Sequence, residues 1–174
     1  MFELRIQKLE ELKGWLESNY ASTESIWLIF PKKTAVADFA WSQIVDVLIC
    51  NVWIDSVGRK IDENYTGLRI SPRNPKSNWS MINKNKVDDL HSKGLIHPNG
   101  YKMIEIAKQS GTWTALDDVE NLIPSSDFLI FLETNILLES WNMKGKTFKK
   151  VFLQELFNTK KEENRLKKMS NLKL

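Results

Sequence analysis

Between Trp53 and Asn83 the chain gathers residue types that folding alone does not request: an acid, Asp55; an arginine, Arg73; two hydroxyls, Ser77 and Ser80; an amide, Asn83; and two indoles, Trp53 and Trp79. The chemistry such a set supports is recognition of a small anion. Asp55 orients the Arg73 guanidinium, whose planar fork then meets a carboxylate or phosphate at two points. Ser77, Ser80 and Asn83 supply neutral donors beside the start of a helix. These seven residues are the candidate ligand-binding set. A second reading is an enzyme of unknown reaction in which Asp55 is a general base and Arg73 stabilises a developing anion; binding is preferred to catalysis. Without a ligand, the same residues are an internal Asp55–Arg73 pair, a serine cap and two core tryptophans.

Other chemistries find no signature. The chain has no glycine-rich phosphate loop, no paired-cysteine motif, no His-Glu-x-x-His and no Gly-x-Ser-x-Gly elbow. His91 and His97 are six apart, off the spacing that puts two imidazoles on one helix face. A single cysteine, Cys50, excludes both an internal disulfide and a cysteine-based zinc site. No metal and no cofactor is expected.

Composition describes an ordinary globular chain of 174 residues, 42% hydrophobic and 27% charged. No purely apolar run exceeds the five residues found at Ile26 to Phe30, too short to span a bilayer. The opening segment lacks a signal core, so a cytoplasmic location is expected. The net charge of +3 is unevenly spread: residues 144–174 hold ten Lys or Arg against three Glu, and Arg69 to Lys86 holds five basic groups and no carboxylate. A weak nucleic-acid or acidic-partner module is therefore a third reading, but charged runs are usually solvated faces and nucleic acid is not an expected partner. Oligomeric state is not legible.

Positioning these residues requires helices and a small sheet. Ile6, Leu9, Leu12, Trp15 and Leu16 predict an amphipathic helix ending before Asn19. Ser25 to Lys32 predicts a strand buried on both faces. Trp41, Ile44, Val45 and Leu48 predict a second helix capped by Ser42, and Ile54 to Ser71 a hairpin. Pro72-Arg73-Asn74-Pro75 predicts a fixed loop leading to a helix capped by Ser77 or Ser80. A further helix opens near Pro98 and stops at Gly111; Ser125 and Thr147 cap later ones. The fold class expected is α+β: a small antiparallel or mixed sheet in the N-terminal half packed by helices, with a helical C-terminal third. Residues 1–158 are expected to form one α+β domain and 159–174 a basic, loosely docked helix.

Cys50-x-x-Trp53-Ile54-Asp55-Ser56, Pro72-Arg73 and Lys76-Ser77-x-Trp79-Ser80-x-x-Asn83, with Gly94, Gly100, Ala107, Gly111 and Trp113, resemble the pattern of the bacteriocin-protection, YdeI/OmpD-associated family of bacterial proteins. Val52 stands where that family usually has glycine, and Asn74 where it has a second arginine. The resemblance implies a stress-protection protein, resisting bacteriocins or antimicrobial peptides, with no established reaction. Joined to the residue reading, it implies action by binding a small anionic ligand or a peptide.

Overall fold

The computed structural model describes residues 2–20, 22–32 and 39–173. They form two compact units, Met1–Trp113 and Thr114–Leu174. The sequence placed a division after residue 158; the structure draws one at Trp113/Thr114.

In the first unit, β1 (Glu3–Arg5), β2 (Ile26–Pro31), β4 (Tyr65–Pro72) and β3 (Trp53–Lys60) form one sheet in the order β1-β2-β4-β3. β1 runs parallel to β2, and the other pairings are antiparallel, so the sheet is mixed as expected. The β3–β4 hairpin is irregular between Asp55 and Gly58. β2 carries the buried run read from the sequence: Leu28 lies opposite Leu68 and Ile26 opposite Ile70. These side chains pack with Leu12 and Leu16 of α1 (Leu9–Ser18), Ile44 and Leu48 of α2 (Trp41–Cys50), and Trp53. Ile29, on the alternate face, is also fully buried.

A second cluster joins Ile49 and Cys50 of α2 to Trp79, to Val87 and Leu90 of α3 (Met81–Ser92), and to Ile104 and Ala107 of α4 (Pro98–Ser110). The caps show how local chemistry sets these helices. Ser80 Oγ accepts the Asn83 N–H at 3.3 Å. His97 caps α4 with Pro98 following, and Gly111 ends it at φ +77°. Ser42 is not the cap of α2: Ala40 is, its N–H donating to the Gln43 side chain at 2.8 Å, because the helix begins two residues earlier than the serine signal implied.

The second unit is helical: α5 (Asp117–Glu120), α6 (Ser126–Thr134), α7 (Leu138–Met143), α8 (Lys146–Asn158) and α9 (Glu162–Ser170). Gly145, not Thr147, is the N-cap of α8. Phe128, Leu132, Trp141, Leu153 and Leu156 form its core, and Met169 of α9 joins them at 1% exposure.

Candidate functional site

Arg73 follows the last residue of β4, and its N–H donates to the Val52 carbonyl at 2.8 Å. Val52 sits at φ +65°, a region where a β-branched residue is strained, so the turn between α2 and β3 is held against local preference. The Arg73 side chain is 4% exposed. Its Cζ lies 3.5 Å from the Trp79 ring centroid, and Nη2 donates to the Asn78 carbonyl at 2.9 Å. Nε and Nη1 are buried without an acceptor among the described residues. Burial pushes the guanidinium pKa down to about 10. This is a cation held by an aromatic face and one carbonyl.

Asp55 does not complete it. Asp55 lies on β3 opposite Ile70, half-buried, and forms no ion pair with Arg73. The two indoles also part company: Trp53 packs edge-on to Trp15 in the first cluster, 5.4 Å between centroids, whereas Trp79 packs on Trp113 at 5.1 Å in the second. Both indole N–H groups are buried without an acceptor among the described residues. Ser77 closes a turn by donating its N–H to the Asn74 carbonyl at 2.9 Å. Ser80 and Asn83 are joined by the cap of α3. Of the seven residues, the structure therefore gathers Arg73, Ser77, Trp79, Ser80 and Asn83 around the entry to α3, and leaves Trp53 and Asp55 on β3.

A cleft of about 530 Å³ opens elsewhere in this unit, between α1, α2 and the end of α3. Leu9, Val47, Leu90, Leu95 and Ile96 give it apolar walls; Lys13, Glu17, Asp46, Lys93 and His97 give it polar ones. None of the seven sequence candidates lines it. Its outer wall is pinned to the end of α2, since the His97 N–H donates to the Cys50 carbonyl at 3.1 Å. A Cβ on Gly100 would sit 3.2 Å from the same oxygen, so glycine permits the approach. Gly94, at φ +66°, makes the turn that brings Leu95 and Ile96 in.

The electrostatics of the cleft are specific. Asp46 is held by Lys86 at 2.5 Å, and Asp89 by Lys93 at 2.6 Å. Lys13 has only an exposed contact with Glu10 at 3.7 Å, and Glu17 forms no ion pair among the described residues. Lys13 and Glu17 are one helical turn apart on α1 and remain available. His97 Nδ1 accepts the Asn99 N–H at 3.2 Å, which places the ring proton on Nε2. Burial first, and the Asp46 charge second, push the Cys50 thiol up to about 11, with Lys13 opposing. A thiol raised in this way is disfavoured as a thiolate. In the sequence His97 enters only as a histidine off metal-pair spacing and Gly100 only as part of the resemblance pattern; that both meet the Cys50 carbonyl is a non-local fact with no local signal.

Comparison with known proteins gives one match. The family model described as a domain of unknown function, DUF8412, matches residues 4–103. No curated protein and no solved structure matches. This corrects the sequence resemblance: the match is to DUF8412, not to the bacteriocin-protection, YdeI/OmpD-associated family, and the protective role loses the resemblance that implied it. The shared residues were mostly Trp, Gly, Ser and Pro, which cap helices, fill cores and make turns in unrelated folds, and here Ser80, Trp79 and Gly111 do those things.

Proposed function

The chain is a member of the DUF8412 family, and on that premise we propose that its first unit is a binding module for a short peptide or other amino-acid-like zwitterion, held in the cleft between α1, α2 and α3. The observation that carries this reading is a cleft of ligand size whose lining, Leu9 to His97, falls wholly within the family-matched residues. Its apolar walls take a side chain, Lys13 takes a carboxylate and Glu17 an ammonium. Cys50, disfavoured as a thiolate, supports binding over chemistry. Arg73 serves the module by fixing Trp79 and the entry to α3, the helix whose far end forms one wall.

A second reading keeps the anion at Arg73, favoured by the unpaired Nε, Nη1 and Trp79 Nε1 donors. A titration of ¹⁵N-labelled protein with leucyl-leucine, and separately with acetate and phosphate, discriminates the two. The cleft reading expects saturable shifts at Lys13, Glu17, Val47, Cys50 and Ile96, none with the N-acetylated amide of the dipeptide, and a roughly two- to fivefold loss of affinity in Lys13→Gln or Glu17→Gln. Shifts from acetate or phosphate confined to the Arg73 and Trp79 side-chain N–H signals would select the second reading. Absence of both patterns overturns both.

A further inference from the structure

We infer that the concave face between the end of α8 and α9 binds a nucleic-acid backbone through its phosphates. This inference is independent of the cleft: the face belongs to the second unit, beyond the family-matched residues. It has a volume of about 610 Å³, and its lining comprises four lysines, three asparagines and a threonine, with no carboxylate.

The lysines form two pairs. Lys160 and Lys161 precede the first turn of α9, and Lys167 and Lys168 lie two turns on, about 10 Å along the helix at 1.5 Å per residue. One strand of a duplex presents about three phosphates over that length. Lys161 and Lys167 are exposed and form no ion pair among the described residues. Lys160 lies over the Phe157 ring at 4.5 Å, and Lys168 contacts Glu155 at 3.1 Å, so those two cations are positioned. Glu162 and Glu163 stand on α9 but do not line the face. Asn164 and Asn171, seven apart, share the lysine side and offer both donors and acceptors to sugar, phosphate or base edges.

Two features favour nucleic acid over an anionic membrane. No aromatic or aliphatic side chain lines the face, whereas an interfacial helix needs an apolar side to insert. The face is also fixed, because Arg165 ties α9 to Asp127 and Ser125. Linear charge counting marks residues 144–174 as basic and supports only a weak third reading; the fold adds the concave geometry, since α9 curls around the end of α8.

Fluorescence anisotropy of the full chain with a fluorescein-labelled 12-nucleotide DNA strand and its duplex tests this. Binding is expected at 50 mM KCl, weakening linearly on logarithmic axes as salt rises. The double substitution Lys161→Gln with Lys167→Gln should weaken it about tenfold or more and reduce the salt slope by about 1.5. Asn164→Glu should weaken it without removing a cation, while Lys102→Gln in the first unit should leave it unchanged. No binding at 50 mM KCl, or equal binding by the double variant, overturns the inference. So does lysine-dependent retention on phosphatidylserine vesicles without oligonucleotide binding.

Discussion

Arg73 and Arg165 are taken out of water in opposite ways, one in each unit. Arg165, its side chain 18% exposed, donates Nε and Nη2 to the two oxygens of Asp127, each at 2.8 Å, and Nη2 also to Ser125 Oγ at 3.0 Å. Its Nη1 reaches the carbonyls of Leu156 and Thr159. Arg73 has one carbonyl, an indole face and no anion. The first is positioned by bonds that need a charged, forked donor; the second is positioned by shape. The difference teaches where each charge matters. Arg165 joins the end of α8 to α9 and to the start of α6 through charge-assisted bonds. Arg73 lies against Trp79, and an apolar side chain of similar length fills the same space.

Truncation breaks this comparison most severely. A basic, loosely docked helix over 159–174 implies that truncation at Thr159 leaves a folded protein, whereas truncation at Lys146, which also removes the apolar stripe from Phe148 to Phe157, does not. The structure puts Met169 in the core at 1% exposure, adds partly buried Leu172, and hangs the Arg165 network on the same segment. Loss of one fully buried side chain and of several charge-assisted bonds costs about 4–6 kcal/mol, comparable with the net stability of a small domain. A chain ending at Asn158 should therefore lose hydrogen-exchange protection in α6 and α8 while β2 and β4 keep theirs. Unchanged protection in α8 would show that α9 is dispensable.

Single substitutions sharpen it. Arg165→Met should destabilise the second unit by about 2–3 kcal/mol, since Asp127 and two carbonyls lose a donor together. Arg73→Met should fall within about 1 kcal/mol of the parent, or above it, because a desolvated cation is removed and only the Asn78 carbonyl is deprived. Urea unfolding of both variants, followed by tryptophan fluorescence, reads the contrast. Equal losses would mean that Arg73 has an acceptor in solution, and would return weight to an anion beside it.

The sheet, the buried β2 and the helix from Pro98 to Gly111 were legible because each is written in local pattern: an unbroken apolar run, a proline start, a glycine stop. β1 was not, since Glu3-Leu4-Arg5 is too short to show a period and is a strand only because β2 lies beside it. At the candidate site, the Ser80 cap was legible and the cleft was not. The seven chemically rich residues were grouped by sequence proximity, yet Trp53 and Asp55 belong to the sheet while Trp79 belongs to the helices behind it. Arg165 was hidden for the reverse reason: among lysines, its bidentate geometry leaves no mark in the sequence.

Val52 gives a smaller effect of opposite sign. At φ +65° a valine pays for its Cβ, and glycine does not. Val52→Gly should raise the stability of the first unit by about 1 kcal/mol, offset in part by the freer unfolded chain, with the Arg73 N–H to Val52 carbonyl bond retained. A lowered urea midpoint would show that packing of the valine side chain outweighs the backbone strain.

The smallest effect is a pH dependence that distinguishes the paired charge from the packed one. Burial raises the Asp127 pKa, but hydrogen bonds from Ser125 and Arg165 and the Arg165 charge outweigh it, leaving the carboxyl below its ordinary value. A carboxyl depressed in the folded state contributes stability that is present above its unfolded pKa of about 4 and is lost as pH falls through the folded value, because the unfolded chain binds the proton first. The second unit should therefore weaken between about pH 4 and the lower folded value. Asp127→Asn should abolish that window and Arg165→Met should narrow it, the Ser125 hydrogen bond remaining, while the double variant should go no further than Asp127→Asn alone. Arg73→Met should leave the acid window of the first unit unchanged, as no carboxylate is tied to that guanidinium. Urea midpoints at pH 5 and pH 3, read from amide signals within each unit, test both statements; an acid window that survives Asp127→Asn would assign the second unit's pH dependence to another carboxylate.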